Sequence, residues 1–123
     1  MLIRTSLALM IALAACSSSS SNTPDSNTAT VMAVTCPPGA TLPTIATDEN
    51  TNAFTPSTTS IGVGEIVKFA MSASHNVAPD PHKATDAGLV VGLGATACLM
   101  FTKAGTFNFE CGIHLFEGAV TVQ

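Results

Sequence analysis

Between Thr106 and Cys111 the side chains alternate without a break, with Phe107, Phe109 and Cys111 on one face and Asn108 and Glu110 on the other. A period of two is that of a β-strand with one buried face. The chain is therefore committed, near its C-terminus, to a sheet whose inward surface carries two phenylalanines and a thiol. The next residues, Gly112-Ile113-His114, bring an imidazole within three positions of that thiol at the strand's end.

Further strand signals recur at short intervals, and no segment carries a helical period. Ala29 to Cys36 reads as a strand stopped by Pro37-Pro38-Gly39, since proline has no N–H for a ladder. A weaker apolar stretch runs from Leu42 to Thr47, and Asp48 to Asn52 reads as a turn. Alternation from Ile66 to Met71 sets Val67, Phe69 and Met71 against Ile66, Lys68 and Ala70, with Gly64 permitting the turn before them. Asp80 to Asp86 has a proline and no period, so it is a surface loop in which His82 is solvated. Ala97 to Thr102 sets Leu99 and Phe101 against Cys98 and Met100, and Lys103 to Gly105 turns the chain. Ala119 to Val122 closes it with Val120 and Val122 inward. Strands at this spacing predict an all-β fold, a β-sandwich of about eight strands.

The N-terminus has a different character. Residues 1–15 hold one cation, Arg4, then an apolar run and small residues, the pattern of a secretory signal too short to span a bilayer. Leu13-Ala14-Ala15-Cys16 resembles the lipobox of bacterial lipoproteins, which implies that Cys16 is the lipidated first mature residue. Residues 16–29 are then a Ser/Asn/Thr tether too polar to order itself, spanning roughly 20 Å, and residues 30–123 form the one folded domain. The expected location is the bacterial cell envelope, lipid-anchored and either periplasm-facing or on the outer membrane, the latter hinted at by a non-acidic Ser17 after Cys16.

Loss of Arg4 leaves three lysines against eight acidic residues. Such a surface does not suit phosphate backbones, so nucleic acid is excluded as a partner. Trp and Tyr are absent, which removes stacking platforms built on those rings. No Ser-His-Asp arrangement, paired-carboxylate motif or phosphate-binding loop appears, and Gly88 to Gly94 lacks the Lys-Ser/Thr ending of such a loop. The chain does not read as an enzyme.

What remains is metal chemistry. His75-Asn76-Val77, 36 residues ahead of Cys111, supplies a second imidazole just past a strand end. Two histidines, one cysteine and a weak axial group form the donor set of blue-copper sites: thiolate suits Cu(I), imidazole suits Cu(II), and a site with both serves both states. The alternative role for Cys111 is a disulfide, because Cys36, Cys98 and Cys111 are an odd set in an oxidising compartment.

The residues Phe54-x-Pro56, Ile61-x-Val63-Gly64-x-x-Val67-x-Phe69, His75-Asn76-Val77 and Phe101-x-x-x-Gly105-x-Phe107-x-Phe109-x-Cys111-x-x-His114 resemble the plastocyanin and pseudoazurin branch of the cupredoxins over Asn52 to Gln123. The resemblance implies a Greek-key sandwich with one copper ion at one end, held by His75, Cys111 and His114. It also implies single-electron transfer between redox proteins in the periplasm or at a membrane surface, with Asn76 bonding the ligand loops together; the chain is expected to act as a monomer. The family register turns Leu99 and Phe101 to the core and Cys98 away from Cys111, which favours a Cys36–Cys98 disulfide and a free Cys111. His114 is the exposed ligand, and Leu115 and Phe116 beside it are either packing residues or an apolar docking patch.

The chain departs from the family after His114. Relatives carry an axial methionine there, whereas this chain reads Leu115-Phe116-Glu117-Gly118. Counting from His114 puts Glu117 in the axial place, whereas counting back from Gly118 puts it in the intervening one, with the loop one residue shorter. An axial carboxylate would favour Cu(II); otherwise the site has three protein ligands, with water or a backbone oxygen near Ser74. The missing methionine also leaves open a copper-storage protein that does not shuttle electrons.

Overall fold

The computed structural model describes residues 29–123; the signal segment, Cys16 and nearly all of the tether lie outside them. Nine strands and no helix occur among the described residues. They are β1 (Val31–Val34), β2 (Thr44–Asp48), β3 (Thr51–Thr55), β4 (Thr58–Ile61), β5 (Ile66–Ala70), β6 (Ala78–Pro79), β7 (Thr96–Phe101), β8 (Gly105–Glu110) and β9 (Glu117–Val122). The expected turn at Asp48 to Asn52 is tighter than its sequence suggests, with β3 resuming at Thr51.

Two sheets face each other. One has the order β1-β7-β5-β2-β3 and the other β4-β9-β8-β6. The alternations seen in sequence decide which side chains meet between them. From the first sheet Val31, Ile45, Phe54, Val67, Phe69, Leu99 and Phe101 are buried; from the second, Ile61, Phe107, Phe109, Val120 and Val122. Each such side chain contributes roughly 1.5–3 kcal/mol by leaving water, and an all-β chain lacking tryptophan depends on these phenylalanines for its core. Phe109 lies between the sheets, its ring 4.8 Å from Phe54 and 5.4 Å from Phe69, near-perpendicular to both, the edge-to-face arrangement that aromatic quadrupoles favour.

Cys98 leaves the core face of β7, as its register requires, and pairs with Cys36 across a separation of 62 residues. Cys111 is the free cysteine among the described residues, and it is buried. β5 and β8 belong to different sheets, yet the loops that leave them converge at one end. The β5 exit leads to His75, the β8 exit leads to Cys111, and the hairpin from β8 to β9 carries His114.

Candidate metal centre

His75 is 1 % exposed and Cys111 is fully buried, while His114 is exposed. Their donor atoms form a small triangle. Cys111 Sγ lies 3.8 Å from His75 Nδ1 and 3.8 Å from His114 Nδ1, and the two nitrogens are 3.2 Å apart. A point equidistant from corners so spaced lies about 2.1 Å from each, within the bonding range of roughly 2.0–2.3 Å for first-row metals on imidazole and thiolate.

Neighbouring groups hold each donor. His75 Nε2 lies 3.1 Å from the carbonyl oxygen of Asp48. A carbonyl only accepts, so Nε2 carries the proton and the bare lone pair of Nδ1 faces the triangle. His114 Nδ1 lies 3.2 Å from that lone pair, a contact that either an Nδ1–H of His114 or a metal ion between the rings would satisfy. Asn76 Oδ1 accepts from Gly112 N at 2.8 Å and from the Cys111 thiol at 3.5 Å, linking the two ligand loops as the resemblance implied. Burial opposes ionisation of the Cys111 thiol, yet the N–H groups of Asn76, His114 and Ile113 and the His75 ring outweigh it and draw the thiol down to about 6. A thiolate is the form that binds a metal.

The hairpin that presents His114 is short. Glu110 pairs with Glu117, Cys111 N donates to Phe116 O at 2.9 Å, and Leu115 N donates to Cys111 O at 2.8 Å. Leu115 closes this turn in the left-handed region, at φ 61°. Of the residues predicted for the site, the structure brings His75, Cys111 and His114 together and places Glu117 elsewhere. As the cross-strand partner of Glu110, Glu117 projects outward, and its Oε2 meets Lys83 Nζ at 2.8 Å. The register explains this: the ladder resumes at Glu117 opposite Glu110, one residue earlier than counting from His114 would allow for an inward Glu117. His82 is exposed in its loop, as expected.

One contributor carries no signal in the sequence, and the sequence leaves a second between two roles. The Asp48 carbonyl is backbone, which no side-chain pattern reports. Phe116 packs against the core while Leu115 is 64 % exposed. The Phe116 ring lies 5.0 Å from His75 and 4.6 Å from Phe54.

Neither a protein-family model nor a curated protein matches the chain. Solved structures do. The reduced state of an amicyanin with a proline-to-phenylalanine substitution aligns at TM-score 0.53 and 22% identity, covering 67% of this chain and 82% of that one. The reduced Cu(I) form of a proline-to-glycine amicyanin aligns at 0.58 and 18%, covering 76% and 99%. Amicyanin from Paracoccus versutus (Thiobacillus versutus) aligns at 0.59 and 16%, covering 77% and 99%. At such identities the likeness speaks for architecture, and with two facing sheets and a His-Cys-His cluster at one end, the chain has the cupredoxin fold.

Proposed function

We propose that the protein is a lipid-anchored single-electron carrier that holds one copper ion on His75, Cys111 and His114. The observation that carries this reading is the donor triangle itself: one thiolate and two imidazoles, with spacings that suit a single small ion, in a fold shared with amicyanins solved in reduced Cu(I) and oxidised states. Bound there, copper supplies a one-electron couple between Cu(I) and Cu(II).

The protein's own residues do the rest. His75 and Cys111 are sealed in the core and fixed by Asp48 and Asn76, so the donors are already assembled and reorganise little between oxidation states. His114 reaches the surface between Ile113, 54 % exposed, and Leu115, 64 % exposed. In this reading a redox protein approaches that ligand edge across the apolar side chains beside it. Lipidation at Cys16 would keep the carrier at a membrane of the cell envelope as a monomer.

Addition of Cu(II) to the purified protein should give an intense thiolate-to-copper visible band that Cys111→Ser abolishes. Absence of that band in the wild type sinks the reading. Reversible voltammetry then separates a carrier from a copper store, because a store does not cycle its copper.

A further inference from the structure

Cys111 and Phe116 lie one step beyond Glu110 and Glu117, the last pair of the β8–β9 ladder, and are joined by the bond from Cys111 N to Phe116 O. The alternation of the ladder fixes which way each faces. Glu110 and Glu117 point outward, so Cys111 and Phe116 both point inward. Leu115, between His114 and Phe116, is turned to solvent by its left-handed backbone. The inward side chain that this segment offers after His114 is therefore a phenyl ring. It lies edge-on to His75 with centroids 5.0 Å apart, and nearly parallel to His114, at 14° and 6.5 Å.

Other donors at this end are engaged elsewhere. Glu117 is on Lys83, Glu49 holds the Ser74 hydroxyl at 2.7 Å, and Asp48 Oδ1 accepts from Asn50 N at 2.8 Å. Among the described methionines, Met32 and Met100 are cross-strand partners on a β1–β7 face away from the core, and the Met71 sulfur lies 4.0 Å from the Thr47 hydroxyl. His75, Cys111 and His114 are the group of histidine, cysteine and carboxylate donors within reach of one ion.

We propose that Phe116 is the specificity-determining residue of this centre: its ring occupies the position from which the hairpin would deliver a fourth side-chain ligand, and so leaves three donors. This inference rests on the metal-site reading above. Zn(II) is held in structural sites by four donors in a tetrahedron, whereas copper of the blue type accepts a trigonal set with a weak or distant axial group. A phenyl wall thus selects copper over Zn(II), and Cu(I), the softer and less demanding state, over Cu(II). Phe116 does this as a positioning residue, through the space it fills and the two rings it steadies, with no bond to the metal.

The test uses the purified full chain and four variants. Phe116→His places a nitrogen donor at the wall, and should bind Zn(II) at least tenfold tighter than wild type in competition with a chromophoric chelator. Phe116→Met places a thioether there, and should lower the ratio of Cu(I) to Cu(II) affinity by about tenfold, which is about 59 mV in a one-electron potential. Phe116→Leu keeps the wall apolar, so Zn(II) affinity should not rise even if melting falls. Met71→Leu should leave the potential in place. If Phe116→His gains no Zn(II) affinity and Phe116→Met leaves the potential unmoved while the wild-type visible band is present, the inference is overturned and the copper reading survives. A Zn(II) gain in Phe116→Leu, or a potential shift in Met71→Leu, also overturns it, by showing that bulk alone or an existing thioether governs the site. Loss of the visible band in the wild type rejects the copper reading instead.

Discussion

The carbonyl oxygen of Asp48 lies 3.1 Å from Nε2 of His75, a ring that is 1 % exposed and 27 residues away in sequence. This bond sets the tautomer and turns Nδ1 toward Cys111. A strand end in one part of the sheet thereby orients a ligand that arrives from another. The opposite side of the triangle is held by Asn76, through Gly112.

Replacing Asn76 tests that second hold. Asn76→Ala removes the acceptor of the Gly112 N–H at 2.8 Å and the partner of the Cys111 thiol. The metal-free protein should lose about 1 kcal/mol, the net worth of an ordinary hydrogen bond. The thiolate-to-copper band should shift, because the sulfur loses a polar neighbour. Thermal melting of the metal-free form and a visible spectrum of the copper form check both. An unchanged band would show that Asn76 serves folding alone.

Acid stability should depend on Asp86. Burial opposes ionisation of this carboxyl, but the Thr30 hydroxyl and the N–H groups of Gly88, Thr30 and Val31 hold it below the usual carboxylate range. Its folded value being depressed, the stabilisation is complete above the unfolded value of about 3.9 and is lost as pH falls through the folded one. Asp86→Asn should cost roughly 2 kcal/mol at pH 6, since hydrogen bonds to a charged acceptor are replaced by bonds to a neutral one. Urea unfolding at pH 6 and near pH 2 should show the gap between wild type and variant narrowing in acid. A gap that stays constant would show that the ionised form is not what is being held.

The strand alternations and the grouping of His75, Cys111 and His114 are legible in the sequence, because they rest on local patterns and on motifs of short spacing. Phe107, Phe109 and Cys111 face inward because a period of two leaves them no other choice. The Cys36–Cys98 pairing is legible only through the family register, which turns Cys98 off the core face. What is illegible depends on register between distant segments. Glu117 falls outside the donor group because Glu110 is its partner; counting forward from His114 and counting back from Gly118 give opposite answers, and only the pairing decides between them. The parallel pairings of β2 with β5 and β4 with β9 join strands well apart in sequence. The Asp86 clamp on Thr30 spans 56 residues, and a polar loop residue gives no sign of such a partner.

Two glycines should be intolerant for reasons of space. A Cβ at Gly118 would stand 2.5 Å from the Phe109 ring, and one at Gly88 would stand 1.9 Å from the Val31 carbonyl oxygen. Gly118→Ala should cost roughly 2 kcal/mol, about 10 °C in Tm for a domain of this size, because Phe109 is wedged between Phe54 and Phe69 and has little room to retreat. Gly88→Ala should cost more, since backbone must move in place of a ring. Differential scanning calorimetry measures both, and a Gly118→Ala protein that melts with wild type would show the core near Phe109 to be looser than its packing indicates.

The backbone at Leu115 offers the sharpest test of the hairpin. Its φ of 61° is a conformation that costs an L-residue about 1–2 kcal/mol, and glycine adopts it freely. The side chain is 64 % exposed, so little burial offsets that strain. Leu115→Gly should therefore raise stability by about 0.5–1 kcal/mol, after allowance for the greater freedom of glycine in the unfolded chain. The visible band should be retained, because the Leu115 side chain is largely exposed and the bond from Leu115 N to Cys111 O stays in place. Leu115→Pro should do the reverse. Proline is fixed near −65° and lacks the N–H that bonds to Cys111 O at 2.8 Å, so the turn should open and carry His114 away from the triangle. Melting curves and copper spectra of the pair decide it: a glycine variant less stable than wild type would mean that the leucine side chain itself supports the loop, and a proline variant with an intact band would mean that His114 does not depend on this turn.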